Sequence, residues 1–341
     1  MFSLRTWAII FLLFLLAPPL LTSFWVITNA NKVIAQSIIT TQYAHIHILK
    51  HYLESFLMTV ANDLLFLAQS SPLQTYLELR YQMSILTHSE PAIPTTELEK
   101  KRQSLAAEFL LFSRHHGIYD QIRYLDETGQ EIVRINSNGT VSQIVADKEL
   151  QNKADRYYFK ETMPLSAEEI FVSPLDLNRE NGNLERPLKP VIRYATLVYY
   201  NKARKAGIVV LNIDANQFLQ LLEKVRLVDP AGYFLNHPNP NNRWGGPNDL
   251  NTDYKFSTEY PQLATRALEH SGIYETNNQI VLLQQVNVPG ASYQWTLVFP
   301  QDKNIIPQLL TRFHLFLTVI LMVIGLVGLI WLKKFKRFSL G

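Results

Sequence analysis

Histidine pairs are the residues of this sequence whose spacing could support metal chemistry. His47 and His51 stand four residues apart in a helical pattern and therefore share one face. No glutamate completes the H-E-x-x-H pattern of a zinc site around them. His115 and His116 form an isolated pair beside Gly117. A solvent-exposed helix face explains both pairs more simply, so we predict no metal site.

Motifs for catalysis are missing from the sequence. It contains no G-x-S-x-G nucleophile elbow, no Walker A loop and no kinase or cyclase signature. The absence of cysteine removes thiol catalysis, thiolate ligands and disulfides. The net charge of +3 is modest and does not indicate nucleic-acid binding. We predict a protein that is not an enzyme and needs no cofactor; a membrane-anchored hydrolase using His115 or His237 is the minor alternative.

Arginine is the residue type of this sequence that best suits ligand binding. Arg156 and Arg193, with Arg134 or Lys189 as a further cation, fall in or beside segments that read as strands. A guanidinium presents parallel N–H donors that match the two oxygens of a carboxylate. We therefore expect a carboxylate or another small anion as the ligand. A solvated strand face or a local ion pair is the simpler alternative for Arg193.

Two apolar segments of membrane-spanning length, 7–27 and 313–332, bracket the chain. Basic residues are concentrated in the flanking segments 1–6 and 333–341, so the positive-inside rule predicts that both flanks are cytoplasmic. The region between the spans would then lie in the periplasm of a two-pass protein of the bacterial inner membrane. For the first segment, a cleaved signal peptide is the alternative.

The segment 28–70 predicts a long helix that leaves the membrane. It contains neither proline nor glycine between Asn31 and Ser70, and its apolar residues recur at helical spacing. A second helical stretch runs from Thr96 to His115. One small core cannot cover so long an apolar stripe, so we expect part of it to contact a second copy of the chain in a homodimer.

After these helices the pattern changes to the alternation of strands. Two strands, Gln121–Leu125 and Gln130–Asn136, flank a turn that contains Gly129 and predict a β-hairpin. The other predicted elements up to residue 227 are strands at Ile170–Ser173, Val191–Tyr200 and Ala206–Ile213 and a helix at Asn216–Val225.

A second, smaller set of elements follows Asp229 and Pro230. It comprises strands at Gly232–His237, Ile280–Val286 and Tyr293–Phe299 and a helix at Tyr260–Leu268. The fold class predicted is α+β, with two modules in series on the long N-terminal helix, flanked by the two transmembrane helices. The membrane-distal module spans 71–227 and the membrane-proximal module spans 228–311.

Four segments resemble a known family: Asp155–Phe159, Ile170–Asn178, Lys189–Thr196 and Gly207–Ile213. They are similar to the double Cache sensor domains of bacterial membrane receptors, which have PAS-like folds, and look most like the sensor regions of histidine kinases. The resemblance covers the whole outer region. It implies a small-molecule pocket on one face of the sheet in the distal module.

The resemblance also implies roles for individual residues. Arg156 matches the ligand-gripping arginine of the family, while Tyr158 and Phe159 fall where amino-acid binders place a Trp and a Tyr. Asn212 stands where those binders keep an Asp for the ligand's ammonium, which disfavours an amino acid unless Asp214 substitutes. The predicted ligand-binding set is Arg134, Arg156, Tyr158, Phe159, Ser173, Arg193, Asn212 and Asp214.

Together these features predict the ligand-sensing region of a bacterial transmembrane receptor of the histidine kinase or diguanylate cyclase type. Ligand binding would shift the populations of two arrangements and transmit a conformational change across the membrane. Nine residues follow the second span, so we expect the output domain or partner protein to be outside this chain. The alternative is a non-enzymatic membrane adaptor with a Cache fold that binds no ligand and acts through a protein partner.

Overall fold

A computed structural model describes residues 4–86, 95–180, 182–201, 203–263, 265–303, 312, 315–328 and 330. The predicted break from Pro91 to Pro94, the end of the predicted proximal module (304–311) and the predicted cytoplasmic tail (333–341) lie outside the described residues.

Helices α1 (Leu4–Ala68), α2 (Ser71–Leu86) and α3 (Thr95–His116) precede the sheets. The buried stripe of α1 has helical spacing and includes Leu53, Leu57, Val60 and Leu64, all fully buried. In the described part of the chain, no helix has the length and the apolarity needed to cross a membrane.

The strands that follow build one antiparallel sheet and a small hairpin. In chain order they are β1 (Tyr119–Leu125), β2 (Glu131–Ser137), β3 (Ser142–Ile144), β4 (Ile170–Val172), β5 (Asp176–Leu177), β6 (Arg179–Glu180), β7 (Asn183–Leu184), β8 (Pro190–Tyr200) and β9 (Arg204–Asp214). The first sheet has the order β3-β2-β1-β9-β8-β4, with β5 also paired to β8, and β6 pairs with β7. Helix α4 (Tyr157–Thr162) lies between β3 and β4 in the chain.

The predicted hairpin of β1 and β2 is confirmed, and its turn is held by one carboxylate. Oδ1 of Asp126 accepts the backbone N–H groups of Thr128 (2.9 Å) and Gln130 (3.0 Å). Gly129 has φ of 80°, and a Cβ there would lie 2.5 Å from the backbone nitrogen of Ala154. Glycine therefore satisfies both the turn conformation and the close approach of the chain before α4.

A β-bulge follows the turn and changes which face Glu131 occupies. Tyr124 pairs with Val133 and Leu125 pairs with Glu131, so Ile132 has no partner in the ladder. The extra residue reverses the alternation of side chains along β2. Glu131 therefore shares a face of the sheet with Arg134, although the two residues are an odd number of positions apart.

The opposite face of the first sheet packs on the helices. Tyr124 of β1 is fully buried, and its ring lies 6.3 Å from that of Tyr76 in α2. The Tyr124 hydroxyl donates a hydrogen bond of 2.7 Å to the carbonyl oxygen of Ala206. The face toward α4 carries both an apolar cluster, which includes Leu125 and Ile208, and polar side chains.

A second antiparallel sheet follows, with the order β11-β10-β14-β13-β12. Its strands are β10 (Arg226–Val228), β11 (Phe234–Asn236), β12 (Gly272–Glu275), β13 (Gln279–Asn287) and β14 (Gln294–Asp302), and two short helices, α5 (Asn216–Leu219) and α6 (Phe256–Glu259), accompany it. The chain is thus α+β, with a long N-terminal helix and antiparallel sheets.

Two helix predictions in this region are wrong in extent. The helix predicted over Tyr260–Leu268 is replaced by α6, which ends before Tyr260, and by a 3-10 segment at Thr265–Glu269. Pro261 explains the break, because the residue before a proline avoids helical backbone angles, and Tyr260 has ψ of 64°. The helix predicted over Asn216–Val225 ends as α5 and a 3-10 turn, at Glu223 with φ of 39°.

Contacts between Cα atoms divide the chain into two units. The larger unit contains residues 46–272 and 283–299, and the smaller contains 1–45, 273–282 and 300–341. The whole first sheet belongs to the larger unit. The predicted module boundary between residues 227 and 228 falls inside that unit and stays a prediction.

Candidate ligand-binding face of the first sheet

Polar side chains occupy neighbouring positions on the face of the first sheet toward α4. Gln121 of β1 pairs with Asn212 of β9, which also pairs with Arg193 of β8. Two residues further along β1, on the same face, Arg123 pairs with Arg134 of β2. Paired residues in antiparallel strands point to the same side of a sheet. We call these five residues, together with Glu131, the polar face.

Arg123 lies at the centre of the polar face and is 4% exposed. Its Nη1 donates to the hydroxyl of Tyr158 in α4 (3.0 Å) and its Nη2 donates to Oδ1 of Asn212 (2.8 Å). The guanidinium also lies over the Tyr158 ring, 5.1 Å from its centre. Arg123 therefore joins the sheet to the helix that covers it, through hydrogen bonds and a cation–π contact.

Glu131 supplies negative charge to this part of the face and is 1% exposed. Its Oε2 accepts from Nη1 of Arg134 (3.0 Å) and from the backbone N–H of Gln151 (3.0 Å). Its Oε1 lies 3.7 Å from Nη1 of Arg123. One carboxylate thus faces two guanidinium groups, and the three side chains together retain one positive charge.

Several buried polar atoms on β1 and β2 have no hydrogen-bond partner among the described residues. They are Arg123 Nε, Glu131 Oε1, Arg134 Nε and Asn136 Oδ1. Asn136 pairs with Gln121, so all four side chains share one face. Buried polar groups are nearly always satisfied by protein, water or ligand. Their concentration here marks a place where bound water or a ligand would complete the hydrogen bonding.

Arg193 is held by groups from the segment that follows β4 and from α4. It is 6% exposed; its Nη1 donates to Oδ1 of Asp176 (3.1 Å) and to the Tyr157 hydroxyl (3.2 Å), and its Nη2 donates to Oδ1 of Asn178 (2.8 Å). Burial raises the pKa of Asp176 although the Arg193 charge opposes the shift. Arg193 is therefore already paired with an internal carboxylate.

Further cations stand beside the polar face. Arg156 is exposed, and its carbonyl oxygen accepts the N–H of Phe159 at the start of α4. Lys153 is half-buried, and its Nζ donates to Oε1 of Gln151 (2.5 Å). Burial lowers the pKa of Lys153, and the positive charges of Arg123, Arg156 and Arg134 lower it further. Positive potential is thus concentrated at this edge of the face.

The structure brings together Arg134, Tyr158, Arg193 and Asn212 from the predicted ligand-binding set and places the others in or beside the surrounding packing. Phe159 packs in a core cluster with Ala195 and Val210. The Ser173 hydroxyl accepts the backbone N–H of Arg193 (2.9 Å), and Oδ1 of Asp214 accepts the N–H of Asn216 (2.9 Å). Lys189 pairs with Asp120. Arg156 borders the face, and the ligand-binding role of all eight residues stays a prediction.

Sequence reasoning missed Arg123, Glu131 and Asp176. Arg123 was inside a predicted strand, two residues from Gln121, so alternation alone could have placed both on one face. Asp176 lies in one of the segments that carry the family resemblance. Glu131 could not be placed by alternation, because the bulge at Ile132 reverses its side.

A sequence model of one family matches most of the region that contains the two sheets. The family is described as the sensor domain of bacterial histidine kinases, and the match covers residues 74–298. A search of curated proteins returned no match.

Solved structures share the fold at low sequence identity. A domain of a protein assigned to the sensory box/GGDEF family of Vibrio parahaemolyticus has a TM-score of 0.65 at 21% identity, covering 79% of this chain and 97% of its own. The extracellular domain of a second protein, assigned as a histidine kinase, has a TM-score of 0.65 at 20% identity, with coverages of 83% and 94%. The sensory domain of a Campylobacter jejuni chemoreceptor with isoleucine bound has a TM-score of 0.52 at 14% identity, with coverages of 81% and 97%.

Proposed function

The chain belongs to the family of bacterial histidine kinase sensor domains, and from this premise we propose that its polar face binds a small carboxylate or another small anion. The observation that carries the proposal is the excess of cationic side chains around buried, incompletely bonded atoms. The cations are Arg123, Arg134, Lys153, Arg156 and Arg193, and the carboxylates that contact them are Glu131 and Asp176.

In the proposed mechanism a ligand carboxylate competes with an internal carboxylate for Arg193. A ligand carboxylate displaces Asp176 and Asn178 from Arg193 and accepts the fork of N–H donors that these two side chains now share. Release of Asp176 moves β5, and α4 follows because Tyr157 also binds Arg193. The ligand shifts the populations of the two arrangements by its differential affinity for them.

An amino acid is the less suitable ligand. Its ammonium needs a carboxylate partner in a partly dry site, and Asn212 offers an amide that already binds Arg123 and Gln121. Asp214 bonds to the backbone of Asn216 instead. In this proposal the chain binds an anion, whereas its structural neighbour from Campylobacter jejuni has isoleucine bound.

The signal would pass to the membrane through the long helix and the second apolar segment. In this proposal residues 7–27 and 313–332 cross the inner membrane, both termini are cytoplasmic, and the sensor region is periplasmic. Exposed apolar residues of α1, such as Ile48 and Phe66, support contact with a second copy. The output in this proposal is a histidine kinase or diguanylate cyclase activity.

A thermal-shift screen of the full chain in detergent tests the proposal. The panel contains mono- and dicarboxylates, inorganic anions and amino acids. We expect carboxylates or anions to raise the melting temperature, since a ligand that binds the native state stabilises it by mass action. Arg156→Ala and Arg193→Gln should abolish the shift that dicarboxylates cause. Arg204→Gln is the control, because Arg204 is exposed and stacks on Tyr81 away from the polar face.

Two results would contradict the proposal. If no compound stabilised the chain, the non-enzymatic adaptor that acts through a protein partner would be favoured. If the shift caused by dicarboxylates persisted undiminished in both Arg156→Ala and Arg193→Gln, the dicarboxylates would bind outside the polar face.

A further inference from the structure

A second cavity, separate from the polar face, lies between α5 and the loop that follows β11. Its volume is about 310 Å³, at the lower end of the range of about 300–1,000 Å³ typical of small-molecule sites. Leu219, Leu235 and Trp244 form apolar walls, and Arg243 and Glu223 are charged residues of its lining. We call it the junction cavity.

Arg243 is a half-buried cation that lacks a counter-charge. Its Nε donates to the carbonyl oxygen of His237 (2.6 Å). Among the described residues no carboxylate forms an ion pair with it, and burial alone lowers its pKa. Arg193, by contrast, has Asp176 as a partner. A partly desolvated guanidinium without a carboxylate has free donors for an anion that enters the cavity.

The backbone of the lining is strained at two positions. Trp244 has φ of 60° and Glu223 has φ of 39°, and neither is glycine. Trp244 is held by its N–H bond to the Phe234 carbonyl (2.7 Å) and by the Leu250 N–H bond to its own carbonyl (2.9 Å). Such conformations cluster at ligand sites, where the surrounding structure maintains them. Trp244 itself is buried and belongs to the lining of the cavity.

We propose that the junction cavity binds a small monocarboxylate that carries a compact apolar group. The carboxylate pairs with Arg243, and the apolar group packs on Trp244 and Leu250. Glu223 repels the second carboxylate of a dicarboxylic acid and attracts an ammonium group, so an apolar amino acid is also accepted. This site is additional to the polar face and does not depend on the function proposed for it.

Fluorine NMR of the full chain in detergent, labelled with 5-fluorotryptophan, gives a readout local to the cavity. Trp244→Phe assigns the resonance among the five tryptophans. We expect 4-methylpentanoate and L-leucine to shift the Trp244 resonance at millimolar concentrations and glutarate not to shift it. Arg243→Gln should weaken binding by at least about tenfold, since a hydrogen bond to a charged group is lost. Arg243→Lys should retain part of the affinity, and the control variant Arg204→Gln should retain all of it.

Several outcomes would overturn the proposal. They are the absence of a Trp244 shift with both monocarboxylates, an equal shift with glutarate, or an undiminished shift in Arg243→Gln. The ligand-free melting temperature shows whether Arg243→Gln is folded. If it is not, Glu223→Gln provides the second test, because removal of that negative charge should allow glutarate to bind; failure to do so contradicts the proposed selectivity.

Discussion

Arg123 is the residue on which the charge balance of the polar face depends. It contacts an amide, a phenol and a carboxylate at once, through Asn212, Tyr158 and Glu131. Burial of a guanidinium is costly unless such partners surround it. Because its strongest partner is the neutral Asn212, the face keeps a net positive charge for a ligand.

Asn212→Asp should weaken anion binding and raise the free energy of unfolding. The new carboxylate would bind Arg123 at the present 2.8 Å contact, and the free energy of unfolding should rise by about 1 kcal/mol because a charge-assisted bond replaces a neutral acceptor. Anion binding should weaken at least about tenfold, equivalent to about 1.4 kcal/mol. Urea unfolding and isothermal titration calorimetry measure the two changes.

The matched control is Asn138→Asp, which adds the same charge in an exposed loop where the side chain already accepts backbone N–H groups. Equal loss of anion binding in both variants would attribute the effect to the net charge of the protein instead of to the polar face.

The residues of the face were only partly predictable. Arg193 was identified from the anion-binding chemistry of arginine and Asn212 from the family resemblance, and the register places them side by side. Arg156 was expected to grip the ligand; it is exposed beside the face, and its role stays a prediction. The internal competition of Asp176 for Arg193 depends on how the chain after β4 folds back, which no local pattern encodes.

At the scale of elements, the loop from Trp244 to Leu250 connects the junction cavity to the polar face. Oδ1 of Asp249 accepts the backbone N–H of Leu177 (2.8 Å). Leu177 lies between Asp176 and Asn178, the two residues that hold Arg193. Displacement of Asp176 by a ligand would therefore pull on this loop.

Asp249→Asn tests the burial of this carboxylate through the pH dependence of stability. Burial raises the pKa of Asp249 to about 6, above its value near 4 in an unfolded chain. The folded state thus holds a proton that the unfolded state releases, and stability falls as the pH rises from about 4 to about 6. Asparagine accepts the same N–H bond without titrating. The free energy of unfolding of the variant, measured with urea, should equal that of the native chain at pH 4. At pH 7 it should exceed the native value by on the order of 2 kcal/mol.

Asp253→Asn is the control, because its effect on stability should have the opposite pH dependence. Its hydrogen bond with Lys255 lowers the pKa of Asp253, so that carboxylate stabilises the fold above its unfolded pKa and the contribution is lost as the pH falls. The variant should be slightly less stable than the native chain at pH 7 and equal to it at low pH. A flat difference for Asp249→Asn across the same pH range would contradict burial of its carboxylate.

Most elements were predictable and their ends were not. The β1–β2 hairpin follows from alternation and a glycine turn, and the long sheet strands β8 and β9 follow from their apolar runs. The short strands β10 and β12 were missed, because three or four residues give no period. Pro261 was visible in the sequence, and its effect on the preceding residue would have limited the predicted helix at 260–268.

At the scale of the whole molecule, the proposed mechanism transmits the ligand response from the sheets through α1. Apolar side chains remain exposed on this helix, including Ile48, Tyr52, Met58 and Phe66. Large exposed apolar residues on one helix indicate a protein contact. A second copy of the same helix is the partner that a closed twofold dimer provides.

Cysteine cross-linking tests this dimer, because the sequence contains no cysteine and a single introduced thiol reports only its own contact. Ile48 and Tyr52 are four residues apart on one face of α1 and are 65% and 43% exposed. We expect Ile48→Cys or Tyr52→Cys to give disulfide-linked dimers under mild oxidation in native membranes, since the bond requires Cβ atoms within about 4.5 Å.

Val141→Cys is the matched control, at 60% exposure in the loop before β3. Cross-linking at Val141 as efficient as on α1 would indicate random collision, and its absence at both α1 positions would place the dimer contact elsewhere. A ligand that displaces Asp176 should change the rate on α1 and leave the control rate unchanged.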